Sequence, residues 1–161
     1  MPTGFGAAPK NYAGWFQRVV ATIIDGLIGL LFSLPGYLVI LLGPSEIVRC
    51  TIDGGLYDCE QPTATTAGIA ILLYLIGAVV YLVLYCKKLG KGATWGRKAM
   101  GYQILDAQSG QPIGTGRAVG RLFARILDGI PCYLGYLWPL WDREKRTFSD
   151  MIVRTRAIKN D

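Results

Sequence analysis

Histidine is absent from the 161 residues. Without imidazole, Ser-His and Cys-His catalytic pairs are excluded, and a zinc site of the usual kind loses its commonest nitrogen ligand. No nucleophile–base set or metal-ligand constellation stands in its place, so neither an enzyme, a cofactor nor a metal is expected. Charge is scarce as well, at 17% of the chain, and its scarcity is local. Ala67 to Cys86, AGIAILLYLIGAVVYLVLYC, carries no charged side chain, and Trp15 to Leu42 carries only Arg18 and Asp25. In a chain that is 52% hydrophobic, two such runs exclude an ordinary soluble domain. At about 1.5 Å rise per residue, twenty residues match a hydrocarbon layer roughly 30 Å thick. Both runs therefore read as transmembrane helices. The first has too long an apolar core, too thin a basic flank (Lys10 and Arg18) and no small-x-small cleavage site, so it is expected to stay as an anchor. Pro35-Gly36 inside it predicts a kink or a break.

What charge there is falls unevenly. Seventeen bases against eleven acids leave the chain at +6. A basic chain can signify nucleic acid binding, but here the positive-inside rule explains the excess, and no nucleic acid partner is expected. Residues 43–66 hold Glu46, Asp53, Asp58 and Glu60 against Arg49, which predicts an outward loop. Lys87, Lys88, Lys91, Arg97 and Lys98 follow the second run closely, which predicts that this end, and with it both termini, lies in the cytoplasm. These five are also candidate contacts for anionic lipid headgroups, although topogenic charge alone accounts for them. The order of GKGATWGRKAMG departs from a phosphate-binding loop, with no Ser or Thr after the lysine, and nucleotide binding is rejected. Trp95, Trp138 and Trp141 are candidate interfacial anchors. In the outward loop, Cys50 and Cys59 flank TIDGGLYD, whose Asp-Gly-Gly is a tight-turn signal. A hairpin closed by a disulfide is one reading and two thiols the other; Cys86 and Cys132 are expected unpaired.

The second half is more polar. GYQILDAQSGQPIG predicts a small cytoplasmic β-hairpin over 100–115. In 117–141 the bases Arg117, Arg121 and Arg125 recur every fourth residue and share one helical face. The apolar part from Ile126 to Trp141 is interrupted by Asp128, Pro131 and Pro139. A re-entrant or interfacial helical hairpin bent near Pro131 is preferred, with a third transmembrane span as the alternative. In the basic tail, 142–161, Thr147 or Ser149 is a candidate N-cap before Asp150, and VRTRAI alternates so that it can pair with GYQILD. The segment also holds RLFARILDG (Arg121 to Gly129), which matches RVVATIIDG (Arg18 to Gly26) at Arg, Ala, Ile, Asp and Gly. Coincidence and internal duplication both remain open for so short a match.

YAGWFQRVVATIID, GATWGRKAMGYQILDAQSG and WDREKRTFSD together resemble the RDD family of bacterial membrane proteins, a likeness that covers most of the chain outside 43–66. The resemblance implies that Arg18, Asp25 and Asp150 are the arginine and two aspartates of the family signature. It also marks two departures, Ser149 where relatives often have histidine and Arg154 where they often have glycine. Sodium/proton exchange in some members and accessory roles in others are what the resemblance implies about activity.

The expected fold is an all-α membrane protein: a short cytoplasmic segment, 1–14, then one domain, 15–161, with two transmembrane helices, the helical hairpin and the small β-element. Arg18 and Asp25 share a helix face but stand about 10.5 Å apart along it, too far for an ion pair. Asp25 is therefore expected to meet Arg121 or Arg125, and Asp128 to meet Arg18 or a backbone donor. Asp25, Arg121, Arg125 and Asp128 then form a candidate buried charge cluster. It reads either as a structural clamp or as a protonatable relay or cation site. At the level of function, an accessory or scaffolding subunit of a membrane complex is preferred, with a small oligomeric exchanger or transporter as the alternative. The lipid bilayer and either a second copy or a larger complex are the expected partners.

Overall fold

The computed structural model describes residues 11–130 and 134–160; Lys10, Pro131 and Cys132 lie outside them. Two long apolar helices dominate, α1 (Trp15–Leu42) and α2 (Ala64–Gly90), the second longer at both ends than its uncharged run. Only 11% and 6% of their most apolar windows are buried. Leu27, Leu30 and Leu31 on α1 and Leu72, Leu75 and Val79 on α2 face outward. A helix in a soluble core would cover such side chains, and lipid is the solvent that tolerates them. α1 runs unbroken through Pro35, contrary to a break there. Intrahelical hydrogen bonds are hard to give up in lipid, so a membrane helix keeps its course around one missing donor.

Two compact units divide the described chain. One is Ile28–Leu82. It contains a hairpin of β1 (Ser45–Ile52) and β2 (Gly55–Pro62), paired in register from Ser45↔Pro62 to Ile52↔Gly55. Asp53 and Gly54 make the two-residue turn with φ of +50° and +83°, the doubly left-handed geometry that matches strand twist. Cys50 and Cys59 are bonded, with their Cα atoms 6.0 Å apart. Within the same unit the two long helices approach through small residues. A Cβ on Gly77 would lie 2.1 Å from the Phe32 carbonyl oxygen, and one on Gly36 would lie 3.0 Å from that of Ala70. Phe32 and Tyr81 pack tilted at 5.7 Å, and Tyr37 meets Tyr74 edge to face at 6.2 Å. Close backbone approach with aromatic contact is how helices associate where no hydrophobic force is available between them.

The other unit is the chain up to Leu27 and from Val83 onward. After α2 come α3 (Trp95–Ala99), β3 (Tyr102–Asp106), α4 (Gly114–Gly129), α5 (Leu134–Leu137), a 3-10 turn (Trp138–Leu140), α6 (Phe148–Ile152) and β4 (Thr155–Lys159). The expected hairpin over 100–115 is not the main pairing. β3 pairs with β4 over five residues, Tyr102↔Lys159 to Asp106↔Thr155, and Pro112 contributes only one bridge, to Leu105. Proline lacks the donor a ladder needs, and after Ile113 the chain enters α4. Asp106 organises the intervening turn, its carboxylate accepting from the Gln108 and Ser109 amides at 2.8 Å each. The Ser109 amide and the Arg117 guanidinium hold that carboxyl well below its usual range. Pairing of the alternating tail segment with GYQILD is thus observed.

The resemblance between RVVATIIDG and RLFARILDG extends further than the sequence match. Thr94 and Thr147 each N-cap a five-residue helix, α3 and α6. Each helix leads to a left-handed residue, Gly101 at φ +67° and Arg154 at φ +52°. Each of those opens a five-residue strand, β3 or β4, at the same spacing from its threonine. The register pairs Ile104 with Ala157, which are equivalent positions, so the two copies meet symmetrically about that pair. The unit is a structural duplication.

Candidate functional site

Each copy contributes one arginine and one aspartate from a helix, and the short helix of each copy receives the aspartate. Asp25, 5% exposed, accepts from the Thr94 hydroxyl at 2.5 Å and the Gly96 amide at 2.7 Å. Asp128, fully buried, accepts from the Ser149 amide at 2.9 Å and the Ser149 hydroxyl at 2.6 Å. Gly96 and Ser149 are the second residues of α3 and α6, where backbone N–H groups have no helical partner and a carboxylate is favoured. The contact with Asp25 requires glycine at 96, because a Cβ there would lie 2.0 Å from the Ala21 carbonyl oxygen.

The arginines converge. Arg18 donates to Asp150 at 2.6 Å and to the Lys145 carbonyl at 2.6 Å, while Arg121 forms an ion pair with the other Asp150 oxygen and donates to Thr155. Asp150 also completes a capping box with Thr147, whose amide it accepts at 3.1 Å. Burial alone would raise the Asp150 carboxyl, but the charges of Arg121 and Arg18 outweigh it and hold the group well below the ordinary carboxylate range.

The expected pairing of Asp25 with Arg121 or Arg125 is replaced. Arg121 goes to Asp150, and Arg125 reaches the Tyr85 hydroxyl at 2.9 Å and Thr22 at 3.2 Å, one helical turn from Asp25. Asp128 takes a backbone donor, as one of its two expected partners. Arg97, grouped by sequence with the surface bases, is buried and donates to Tyr85 at 3.2 Å. Lys87, Lys91 and Lys98 are exposed, and Lys88 lies over the Trp95 ring at 4.7 Å. The threonine and serine hydroxyls were not anticipated as partners. The signal that carries them is the recurrence of Thr-Trp-Gly and Thr-Phe-Ser at equal distances before β3 and β4. A cavity of about 360 Å³ adjoins the cluster, lined by Arg18, Arg97, Arg121, Arg125 and Asp128 and by apolar groups that include Val19 and Leu137.

The model of the RDD family matches residues 12–154, which spans the first copy and the second as far as the start of β4. The chain belongs to the RDD family. Among its relatives, "Proline-rich antigen" of Mycobacterium leprae (strain TN) is 33% identical over 93% of this chain and 62% of its own length. "Proline-rich antigen homolog" of Mycobacterium tuberculosis (strain ATCC 25618 / H37Rv) is 30% identical over 92% and 64%. "Uncharacterized protein YxaI" of Bacillus subtilis (strain 168) is 28% identical over 91% and 96%. The chain thus spans less than two thirds of the mycobacterial relatives. No solved structure matches it. Arg18 is bonded to Asp150 across most of the chain, while Asp25 secures α1 to α3. Ser149 supplies both donors to Asp128, and Arg154 occupies the left-handed position that glycine fills most easily.

Proposed function

We propose that this RDD membrane protein is a non-catalytic accessory or scaffolding subunit of a larger complex in the bacterial plasma membrane, with both termini in the cytoplasm. The observation that carries the reading is the closure of its buried carboxylates. A proton relay or cation site needs an acid that can exchange a proton or offer lone pairs to an ion. Asp25 and Asp128 instead accept charge-assisted hydrogen bonds at helix starts, and Asp150 faces two guanidinium groups. So held, they lock α1, α3, α4 and α6 to one another, which is the clamp role.

Segment 117–141 then lies in the interface or re-enters from it. Phe123, Ile126 and Leu127 on α4, continued by Ile130 at its C-cap, form an exposed apolar stripe opposite buried Arg121 and Asp128. Gly135 packs α5 back onto α4, since a Cβ there would lie 2.5 Å from the Asp128 Cα. Lys87, Lys88, Lys91 and Lys98 remain the candidate headgroup contacts. Purification in mild detergent with mass spectrometry of co-eluting proteins tests the proposal, and a stoichiometric partner is expected. A lone homo-oligomer whose cation/proton exchange in reconstituted vesicles is abolished by Asp25→Asn would replace it with the exchanger reading, in which Asp25 and Asp128 carry the ion.

A further inference from the structure

The duplication makes one position conspicuous. Counting from the capping threonines, Arg97 in the first copy stands where Asp150 stands in the second. Asp150 satisfies Arg18 and Arg121. Its counterpart adds a further cation to the same place: Arg97 lines one cavity together with Arg18 and Arg121. Arg97 is 5% exposed and makes no contact ion pair among the described residues, and its Nη1 has no hydrogen-bond partner there. The same holds for Nε of Arg121, 4% exposed. Arg125 likewise reaches hydroxyls and not carboxylates. Four arginines line the cavity, while Asp25, Asp128 and Asp150 are the acids of the cluster, so one positive charge is left over. A buried cation with unmet donors is strongly disfavoured, and a planar guanidinium matches the geometry of an oxyanion.

We propose that the arginine-lined cavity is a binding site for a phosphate-class oxyanion, with Arg97 as the principal ligand and Arg121 and Arg125 beside it. The anion takes, in the first copy, the place that the Asp150 carboxylate takes in the second. The volume of about 360 Å³ exceeds what a lone phosphate needs, and Val19 and Leu137 line the remainder. An anionic lipid headgroup and free phosphate present the same chemistry, and the site accepts either source on these contacts.

The test uses the full chain purified in a neutral detergent. Inorganic phosphate, a short-chain phosphatidylglycerol and a short-chain phosphatidylcholine are titrated separately, with thermal unfolding and native mass spectrometry as readouts. Saturable stabilisation by phosphatidylglycerol well beyond that by inorganic phosphate assigns the site to a headgroup; equal effects assign it to the free anion. Arg97→Gln is expected to weaken the responding ligand by about tenfold or more, the loss of one charged hydrogen-bonding partner. Because that variant also removes an uncompensated buried charge, it should be no less stable than the wild type before ligand is added. Val19→Trp, which fills the cavity and keeps every arginine, is expected to weaken phosphatidylglycerol similarly. Equal responses to phosphatidylglycerol and phosphatidylcholine, or equal ligand affinity in wild type and Arg97→Gln, would overturn the assignment.

Discussion

Asp150 carries more of the fold than any other single side chain described. It accepts from two arginines, caps α6 and sits fully inside. Asp150→Asn removes the charge and leaves Arg18 and Arg121 buried without their counter-ion, at a cost of about 3–5 kcal/mol. Thermal unfolding of the detergent-solubilised variant against wild type measures it. The pH dependence follows from the direction of its shift. An aspartate titrates near 3.9 in an unfolded chain, and in the folded protein Asp150 titrates lower. Its stabilisation is therefore complete above about pH 4 and is lost as pH falls below that value towards the folded pKa. The wild-type unfolding temperature should hold between pH 7 and 5 and drop below 4, with a smaller drop in Asp150→Asn. Arg154 is the opposite case, a residue the fold tolerates. Its left-handed φ of +52° costs roughly 1–2 kcal/mol in a residue with a Cβ, so Arg154→Gly should be stabilising or neutral in the same assay.

Among the elements, the two long helices are legible as long apolar runs poor in charge, because lipid imposes length and apolarity directly on composition. Their packing is less so. Nothing in the spacing of glycines distinguishes Gly77, on which a Cβ would meet the Phe32 carbonyl oxygen, from Gly68, where it would meet nothing within 4 Å. Gly77→Val should therefore lower the unfolding temperature substantially, by roughly 1–3 kcal/mol of overpacking, and Gly68→Val should not. The β1–β2 hairpin is readable because its turn chemistry is local: Asp53-Gly54 suits the left-handed pair, and Cys50 and Cys59 lie diagonally across it, Cys50 facing Tyr57 and Cys59 facing Val48. β3 takes its ladder from β4, the tail pairing that the alternation allows, and only one bridge from Pro112. A strand's period tells which face it buries, not which distant strand supplies its hydrogen bonds.

For the whole molecule, charge distribution yields a topology that chemistry can check. If the positive-inside rule governs this chain, a cysteine replacing Asp53 in the hairpin turn reacts with a membrane-impermeant maleimide in intact cells. One replacing Lys98 reacts only after permeabilisation. The reverse pattern would place the termini outside and undo the assigned orientation. The duplication sets the other large-scale feature. Two copies of a helix, a capped short helix and a strand meet through β3 and β4, and their arginines and aspartates cross-link the halves.

Composition and spacing alone determined that two runs are long and apolar enough to cross a membrane, that a tight turn falls between them, and that the tail alternates like a strand. These are one-dimensional properties, set by lipid thickness, turn geometry and residue order. Only the tertiary structure decided who pairs with whom. An arginine side chain can reach any of several carboxylates, and the choice rests on where α3 and α6 begin: the Thr94 hydroxyl and Gly96 amide at one start, the Ser149 amide and hydroxyl at the other. Once those hydroxyl and amide groups hold Asp25 and Asp128, Asp150 is the acid that Arg18 and Arg121 reach. Arg97 is drawn inside as the counterpart of Asp150, a place that its neighbours in sequence do not reveal.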